Sequence, residues 1–173
     1  MDMSFFLGVL LAFAVVVILL KTARVVPQRE QFVIERLGKY AKTLDAGFHI
    51  LVPFVDVVAY KHTLKEQTVD VPSQSCITKD NISVEIDGVI YLQVNDARAA
   101  SYGIQDYMFA TSQLAQTTLR SEIGKIELDR TFEERETINS QVVHAVDRAA
   151  EPWGVKILRL SLIHISEPTR RYF

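Results

Sequence analysis

The stretch that decides the fold is ISVEIDGVIYLQV, residues 82–94. Its even-numbered positions are apolar or glycine, and most of its odd-numbered positions are polar. A two-residue hairpin at Asp87-Gly88 would place Glu85 opposite Ile90, a poor pair. Instead, apolar residues continue at every second position on both sides of Gly88, with no change of register. The pattern therefore predicts one long strand, entered by a turn at residues 79–81, with Gly88 as the position for a bulge.

The segment after this strand is patterned for helices. The residues after Asp96 predict a short helix that Asp96 caps and that ends before Gly103, and residues 106–123 predict a longer one that stops at Gly124. Thr131 and Glu134 fit a capping box for a third helix. The predicted buried stripes are Met108, Ala115, Leu119 and Ile123, and then Ile138, Val142, Ala145 and Ala149. With a return strand over residues 155–159, this order predicts an α+β fold in which helices pack against antiparallel strands.

The segment before this strand is patterned for shorter strands. Gly38-Lys39 marks a turn within ERLGKY, and a second turn falls at residues 45–47. FHILVPFVDVV, residues 48–58, is an apolar run too short to cross a bilayer as a helix, and Pro53 excludes a regular central strand. Two interpretations stay open: a buried sheet edge, which the residues favour, or a segment that dips into a membrane interface.

The N-terminal stretch FFLGVLLAFAVVVILL, residues 5–20, has no charged residue. As a helix it would be about 24 Å long, near the thickness of a hydrocarbon core of about 30 Å. It is apolar all round, unlike a soluble core helix, and it lacks the basic leader and cleavage site of a signal peptide. We therefore expect an uncleaved membrane-spanning anchor within residues 1–25. Its apolar surface would consist of Phe5, Phe6, Leu7, Leu10, Leu11, Phe13, Val15, Val16, Val17, Ile18, Leu19 and Leu20.

Basic residues follow the apolar stretch, whereas Asp2 is the charged side chain that precedes it. Lys21, Arg24 and Arg29 are expected at the membrane interface, where Lys and Arg favour the cytoplasmic side. This predicts a single-pass protein of the inner (plasma) membrane. Its N-terminus would lie outside and its main domain in the cytoplasm.

The composition limits the function. The chain has 173 residues, 49% of them hydrophobic, and a formal net charge of −2, which fits an anchor plus one domain and argues against a nucleic-acid partner. Cys76 is the one cysteine and cannot form an internal disulfide. His49, His62 and His144 lack metal-ligand spacing, and the sequence has no phosphate loop or nucleophile elbow. We therefore expect no catalytic residue, no metal site and no cofactor.

Five blocks of the sequence resemble the stomatin/prohibitin family, whose shared module is the SPFH or Band 7 domain. They are ERLGKY (35–40), GFHILVPFVD (47–56), ITKDNISVEIDGVIY (77–91), LAQTTLRSEIGKIELD (114–129) and AAEPWGVKILR (149–159). The blocks follow the family's order and spacing, and the similarity is greatest to bacterial stomatin-like membrane proteins. The resemblance covers the anchor and a domain over residues 26–159.

The resemblance implies a non-enzymatic scaffold that oligomerises on a bilayer. Such proteins are thought to organise membrane microdomains and to modulate membrane proteases of the FtsH type or other membrane proteins. The expected partners are therefore membrane lipids, further copies of the chain and a protease of this type. In the family, the first part of the domain lies against or within the bilayer. The resemblance thus favours membrane contact by Phe48, Ile50, Leu51, Val52 and Phe54 over a buried edge.

The C-terminal segment departs from the family pattern. Family members continue into a long coiled-coil helix that joins subunits, whereas residues 160–173 read LSLIHISEPTRRYF and resemble translated sequencing-adapter sequence. We expect this tail to be foreign to the domain. Two other classes of protein stay as alternatives: a membrane-tethered hydrolase and an exported soluble binding protein.

Overall fold

The computed structural model describes residues 3–166, with the side chains of residues 3–5, 19–21, 132 and 163–166 outside the described part. The chain forms two compact units that divide between Leu64 and Lys65. The first unit carries strands after an N-terminal helix, and the second combines strands with helices. The pairing between strands is antiparallel throughout the described chain. The predicted α+β class is confirmed.

The first unit begins with helix α1, Met3–Thr22, which continues directly into strand β1, Ala23–Val26. The α1 sequence is apolar except near its ends, and Lys21 is its charged residue. Over the part of the chain that the structure describes, no helix has both the length and the apolarity needed to cross a membrane. The predicted membrane-spanning anchor is therefore not supported by the structure.

Five short strands make up the rest of the first unit. After β1 come β2 (Glu30–Arg36), β3 (Lys39–Leu44), β4 (Gly47–Ile50) and β5 (Asp56–Thr63). Strands β1 and β4 pair with each other, and β2 lies between β3 and β5 in a second sheet. A small core forms from Val26, Phe32, Ile34, Leu44 and Leu51.

The second unit is a three-stranded sheet packed against helices. Its sheet has the order β6-β7-β8, with β6 at Gln67–Ile77, β7 at Ser83–Val94 and β8 at Val155–Ser166. The helices are α2 (Ala97–Tyr102), α3 (Tyr107–Ile123), α4 (Leu128–Glu133), α5 (Arg135–Ala150) and a short 3-10 helix (Glu151–Trp153). The larger core of the chain lies between this sheet and α3 and α5.

The long strand predicted from the alternating pattern is present as β7. Its even-numbered residues Val84, Ile86, Ile90, Leu92 and Val94 are buried. The pairing between β7 and β8 shifts register between Asp87 and Gly88. A Cβ atom on Gly88 would lie 2.9 Å from the carbonyl oxygen of Ser161, so the neighbouring strand approaches too closely for any side chain. An irregularity lies at Gly88, as predicted, but the extra residues belong to the partner strands β6 and β8 rather than to β7.

The helix predictions are confirmed in outline and wrong in two details. Asp96 caps α2 through its side chain, as predicted, and Asp106 caps α3 in the same way. Thr131 does not cap the third predicted helix, which corresponds to α5. It lies inside α4 instead, and its hydroxyl donates to the carbonyl oxygen of Glu127. The buried stripe of α5 is Ile138, Val142, Val146 and Ala150, while Ala145 and Ala149 are exposed. Residues four apart share a helix face, and Val146 buries more apolar surface there than Ala145 would.

Strand β8 continues beyond the predicted return strand at residues 155–159. Its pairing with β7 extends from Val155 to Ser166, and Leu160 is buried in the sheet core. Leu160 and Leu162 alternate with Ser161, and this pattern suits such an extension because alternate side chains of a strand share a face. The limits predicted for the anchor, the domain and the tail stay predictions.

Candidate functional site

One end of the first unit collects several chain segments. Arg36 at the end of β2 pairs with Asp56 at the start of β5 and with Lys39 at the start of β3. The β2–β3 turn and the segment between β4 and β5 therefore lie at the same end of the sheet. The N–H of Leu51 donates to the carbonyl oxygen of Thr22 at 2.9 Å, which brings the last turn of α1 to this end as well.

Large apolar side chains are exposed at this end. Phe54 is 85% exposed, and Ile50 and Val52 are also exposed. Phe48, two residues before Ile50 on β4, is exposed on the same strand. Leu51 differs from its neighbours, because it is only 4% exposed and belongs to the small core. Four of the five residues predicted to contact a membrane thus share one surface, and Leu51 lies beneath it.

Leu37 adds an apolar residue that the sequence interpretation did not include. It follows Arg36 in the β2–β3 turn, at the same end of the sheet as Phe54, and is 82% exposed. The sequence ERLGKY predicts the turn at Gly38, but it does not indicate that the preceding leucine is exposed. We call Leu37, Ile50, Val52 and Phe54 the apolar rim.

The backbone conformation of two rim residues is unusual. Leu37 has φ of 50° and Phe54 has φ of 71°, both in the left-handed region that disfavours residues with a Cβ atom. Leu37 and Gly38 both have positive φ, as a tight hairpin turn requires, yet asparagine or aspartate is the usual partner of glycine there. Neither side chain is buried within the unit, so burial there does not offset the cost of this backbone conformation. Strained and exposed apolar residues of this kind point to an external contact.

An ion pair holds the rim segment in place. Arg36 donates from Nε to Asp56 Oδ1 at 2.7 Å and from Nη2 to Oδ2 at 3.1 Å. The Val52 N–H donates to the same Oδ2 at 3.0 Å, and the Asp56 side chain is 1% exposed. The Arg36 guanidinium, followed by the Val52 N–H, lowers the pKa of Asp56 to about 2. Asp56 is therefore ionised near neutral pH, and its oxygens are occupied by these donors.

The basic residues predicted at the interface separate in the structure. Arg24 lies on β1, opposite His49 of β4 and close to Leu51, so it borders the apolar rim. Arg29 precedes β2, at the end of the sheet away from Arg36. The length of β2 puts about 20 Å between these ends. The side chain of Lys21 lies outside the described residues.

The predicted anchor residues lie on α1. Exposed side chains are Phe6, Leu7, Leu10, Leu11, Phe13, Val15, Val16 and Ile18, while Val17 is partly exposed. The side chains of Phe5, Leu19 and Leu20 lie outside the described part. An apolar helix surface of this kind needs a nonaqueous partner, whether lipid or protein.

The described residues show no grouping of the kind that binds a metal ion. Cys76 is buried, and burial raises the pKa of its thiol, which disfavours the reactive thiolate. Burial lowers the pKa of His62, which favours the neutral imidazole. The apolar rim is suited to contact with an apolar phase, and Arg24 is a cationic side chain at its border.

Comparisons with known proteins point to one family. A sequence model of the SPFH domain / Band 7 family matches residues 24–171. Stomatin-like protein 2, mitochondrial, of Homo sapiens is 46% identical over 145 residues, or 84% of this chain and 41% of that protein. A stomatin-like protein of Caenorhabditis elegans is 44% identical over 145 residues, or 84% of this chain and 45% of that protein. An uncharacterized protein of Mycobacterium bovis is 40% identical over 163 residues, or 94% of this chain and 42% of that protein.

The match includes both units of the fold. It begins at residue 24 and so takes in the apolar rim as well as the larger core. The chain spans about two fifths of the length of the curated relatives it matches. Members of this family are generally membrane scaffolds, and the chain belongs to the SPFH domain / Band 7 family.

Proposed function

We propose that the chain is part of a non-enzymatic membrane scaffold that contacts the bilayer through the apolar rim and Phe48. The observation that carries the proposal is the collection of exposed apolar side chains at one end of the first unit, next to the last turn of α1. Surface patches of this kind mark sites of contact with membranes or proteins. Family membership favours the membrane.

The proposed contact can be tested with a tryptophan at the rim. In the full chain, reconstituted in phosphatidylcholine vesicles, Phe54→Trp should give emission that lipids brominated on their acyl chains quench. Gln28→Trp is the matched control, because Gln28 is exposed in the β1–β2 connection at the other end of the unit. Trp153 provides the same background in both variants. Equal quenching of the two variants would refute the contact.

The anchor and its orientation form a second part of the proposal. The apolar sequence of residues 5–20 would insert as a single span, with Lys21 and Arg24 on the cytoplasmic side of an inner (plasma) membrane. A reporter enzyme fused after Arg159 should then be active in the cytoplasm and inactive outside it. The reverse pattern would overturn the orientation.

Assembly and client proteins complete the proposal. The relatives are more than twice as long as the matched region, which leaves room for a helical segment that joins subunits. We expect the 173-residue chain alone to be monomeric or to form small mixed oligomers in detergent. Replacing residues 160–173 with a family-like coiled coil should give a large complex of defined mass by native mass spectrometry. A closed ring formed by the short chain would show that the two units assemble without it.

The proposed client is a membrane protease of the FtsH type, whose activity the scaffold would modulate. Reconstituting such a protease with and without the chain carrying the coiled coil should change its rate of substrate degradation. An unchanged rate, with both proteins in the same vesicles, would exclude this client.

A further inference from the structure

A groove with a volume of about 370 Å³ opens beside the apolar rim. Its lining comes from Arg24 on β1 and from the segment between Leu51 and Val58. The volume falls in the range of about 300–1,000 Å³ that is usual for small-molecule sites. Most of the lining side chains are apolar, and several of them are exposed at the surface of the unit.

Two ionisable residues line the groove, and their states differ. Asp56 is fully engaged, because Arg36 binds both of its oxygens and the Val52 N–H binds one of them. Arg24 forms no ion pair with any carboxylate of the described residues. The pair of Arg36 and Asp56 carries no net charge. The groove therefore presents one uncompensated positive charge at the edge of an apolar wall.

The position of Arg24 follows from the strand pattern. Arg24 and Val26 lie on the same face of β1, because alternate residues of a strand share a face. Val26 belongs to the small core, so Arg24 extends from the margin of that core toward Leu51. Its guanidinium can donate two parallel hydrogen bonds to a phosphate.

We propose that this groove binds one anionic phospholipid, with its phosphate on the Arg24 guanidinium and the start of an acyl chain along the apolar lining between Leu51 and Val58. The combination of one cation and an apolar wall matches a phospholipid better than free phosphate, which would leave the wall without a partner. Deletion of the Arg24 charge should therefore reduce the retention of an anionic lipid more than that of a zwitterionic one. This inference rests on the membrane contact proposed above.

The test compares two arginine variants of the full chain in dodecyl maltoside micelles. Native mass spectrometry would measure retention of added phosphatidylglycerol and of phosphatidylcholine. Arg24→Gln should reduce retained phosphatidylglycerol about tenfold, since it removes a charge-assisted contact. Arg29→Gln, which makes the same charge change at the far end of β2, should retain it like the unaltered chain. In a second pair of exposed valines, Val57→Gln should reduce retained phosphatidylglycerol because Val57 lines the groove, whereas Val25→Gln should not, and equal retention by these two variants would also count against the site.

The outcomes separate this inference from the membrane contact itself. Equal retention by Arg24→Gln and Arg29→Gln, or no preference of the unaltered chain for phosphatidylglycerol, would overturn the lipid site. Quenching of the Phe54→Trp variant in phosphatidylcholine vesicles needs no anionic lipid. If that quenching persists while the two arginine variants retain phosphatidylglycerol equally, the membrane contact is supported and the lipid site is refuted. If quenching is absent, both the membrane contact and the lipid site are refuted. Circular dichroism of each variant verifies that it is folded.

Discussion

Replacing Gly154 with alanine should destabilise the second unit strongly. Gly154 has φ of 66° between the 3-10 helix and β8, and its carbonyl oxygen accepts from the N–H groups of Asn95 and Asp96. An added Cβ would lie 2.6 Å from the carbonyl oxygen of Asp96 and 2.8 Å from the Cβ of Ala99. The left-handed backbone costs about 1–2 kcal/mol for alanine. Overpacking against backbone adds about 1–3 kcal/mol, so we expect a loss of about 2–5 kcal/mol.

Urea unfolding in mild detergent can measure this loss through Trp153 fluorescence. Trp153 is the one tryptophan and packs against the larger core next to Gly154. Gly124→Ala is the matched control, because Gly124 has φ of −62° and its nearest neighbour to an added Cβ is the Arg120 carbonyl oxygen at 3.3 Å. The control should change the free energy of unfolding by less than about 1 kcal/mol. Equal losses in the two variants would refute the reasoning from backbone conformation and contact distance.

Three further predictions follow from side chains. Leu119→Ala should lower the free energy of unfolding by about 2–5 kcal/mol in the same assay, because Leu119 is fully buried in the larger core. The Asp56 pKa of about 2 lies below its ordinary value, so its stabilising contribution is present above about pH 4 and is lost as the pH falls toward 2. The amide chemical shift of Val52 should report this loss, and Asp56→Asn should abolish the transition. Leu37→Asp should reduce bromolipid quenching of the Phe54→Trp variant without altering circular dichroism, whereas unchanged quenching would remove Leu37 from the contact surface.

The sequence predicts the second unit better than the first. Alternation in β7 and the caps Asp96 and Asp106 are local signals, and the structure follows them closely. The error at Ala145 arises because Val142, Val143 and Val146 lie close together in α5, so that the apolar residues do not define a single face. The core resolves this ambiguity through packing that the sequence does not show.

The candidate site depends on contacts that are distant in sequence. Residues 48–54 are nearly all apolar, so no alternation indicates that Leu51 alone turns inward; the pairing of β4 with β1 decides it. The bond between Arg36 and Asp56 joins residues twenty apart, and nothing in either local pattern predicts it. Leu37 is exposed because it lies in the β2–β3 turn, beyond the paired residues Arg36 and Lys39.

The bond between Arg36 and Asp56 also has an entropic consequence for membrane association. Ordering a free backbone costs about 1–2 kcal/mol per residue, a penalty that a loose loop would meet each time it entered a bilayer. Here the segment from Val52 to Asp56 is already tied to β2 by the guanidinium and by the Val52 N–H. The folding of the first unit meets that penalty beforehand, so the apolar rim is preorganised. A free peptide of residues 48–58 should therefore partition into vesicles more weakly than the same residues held in the folded unit.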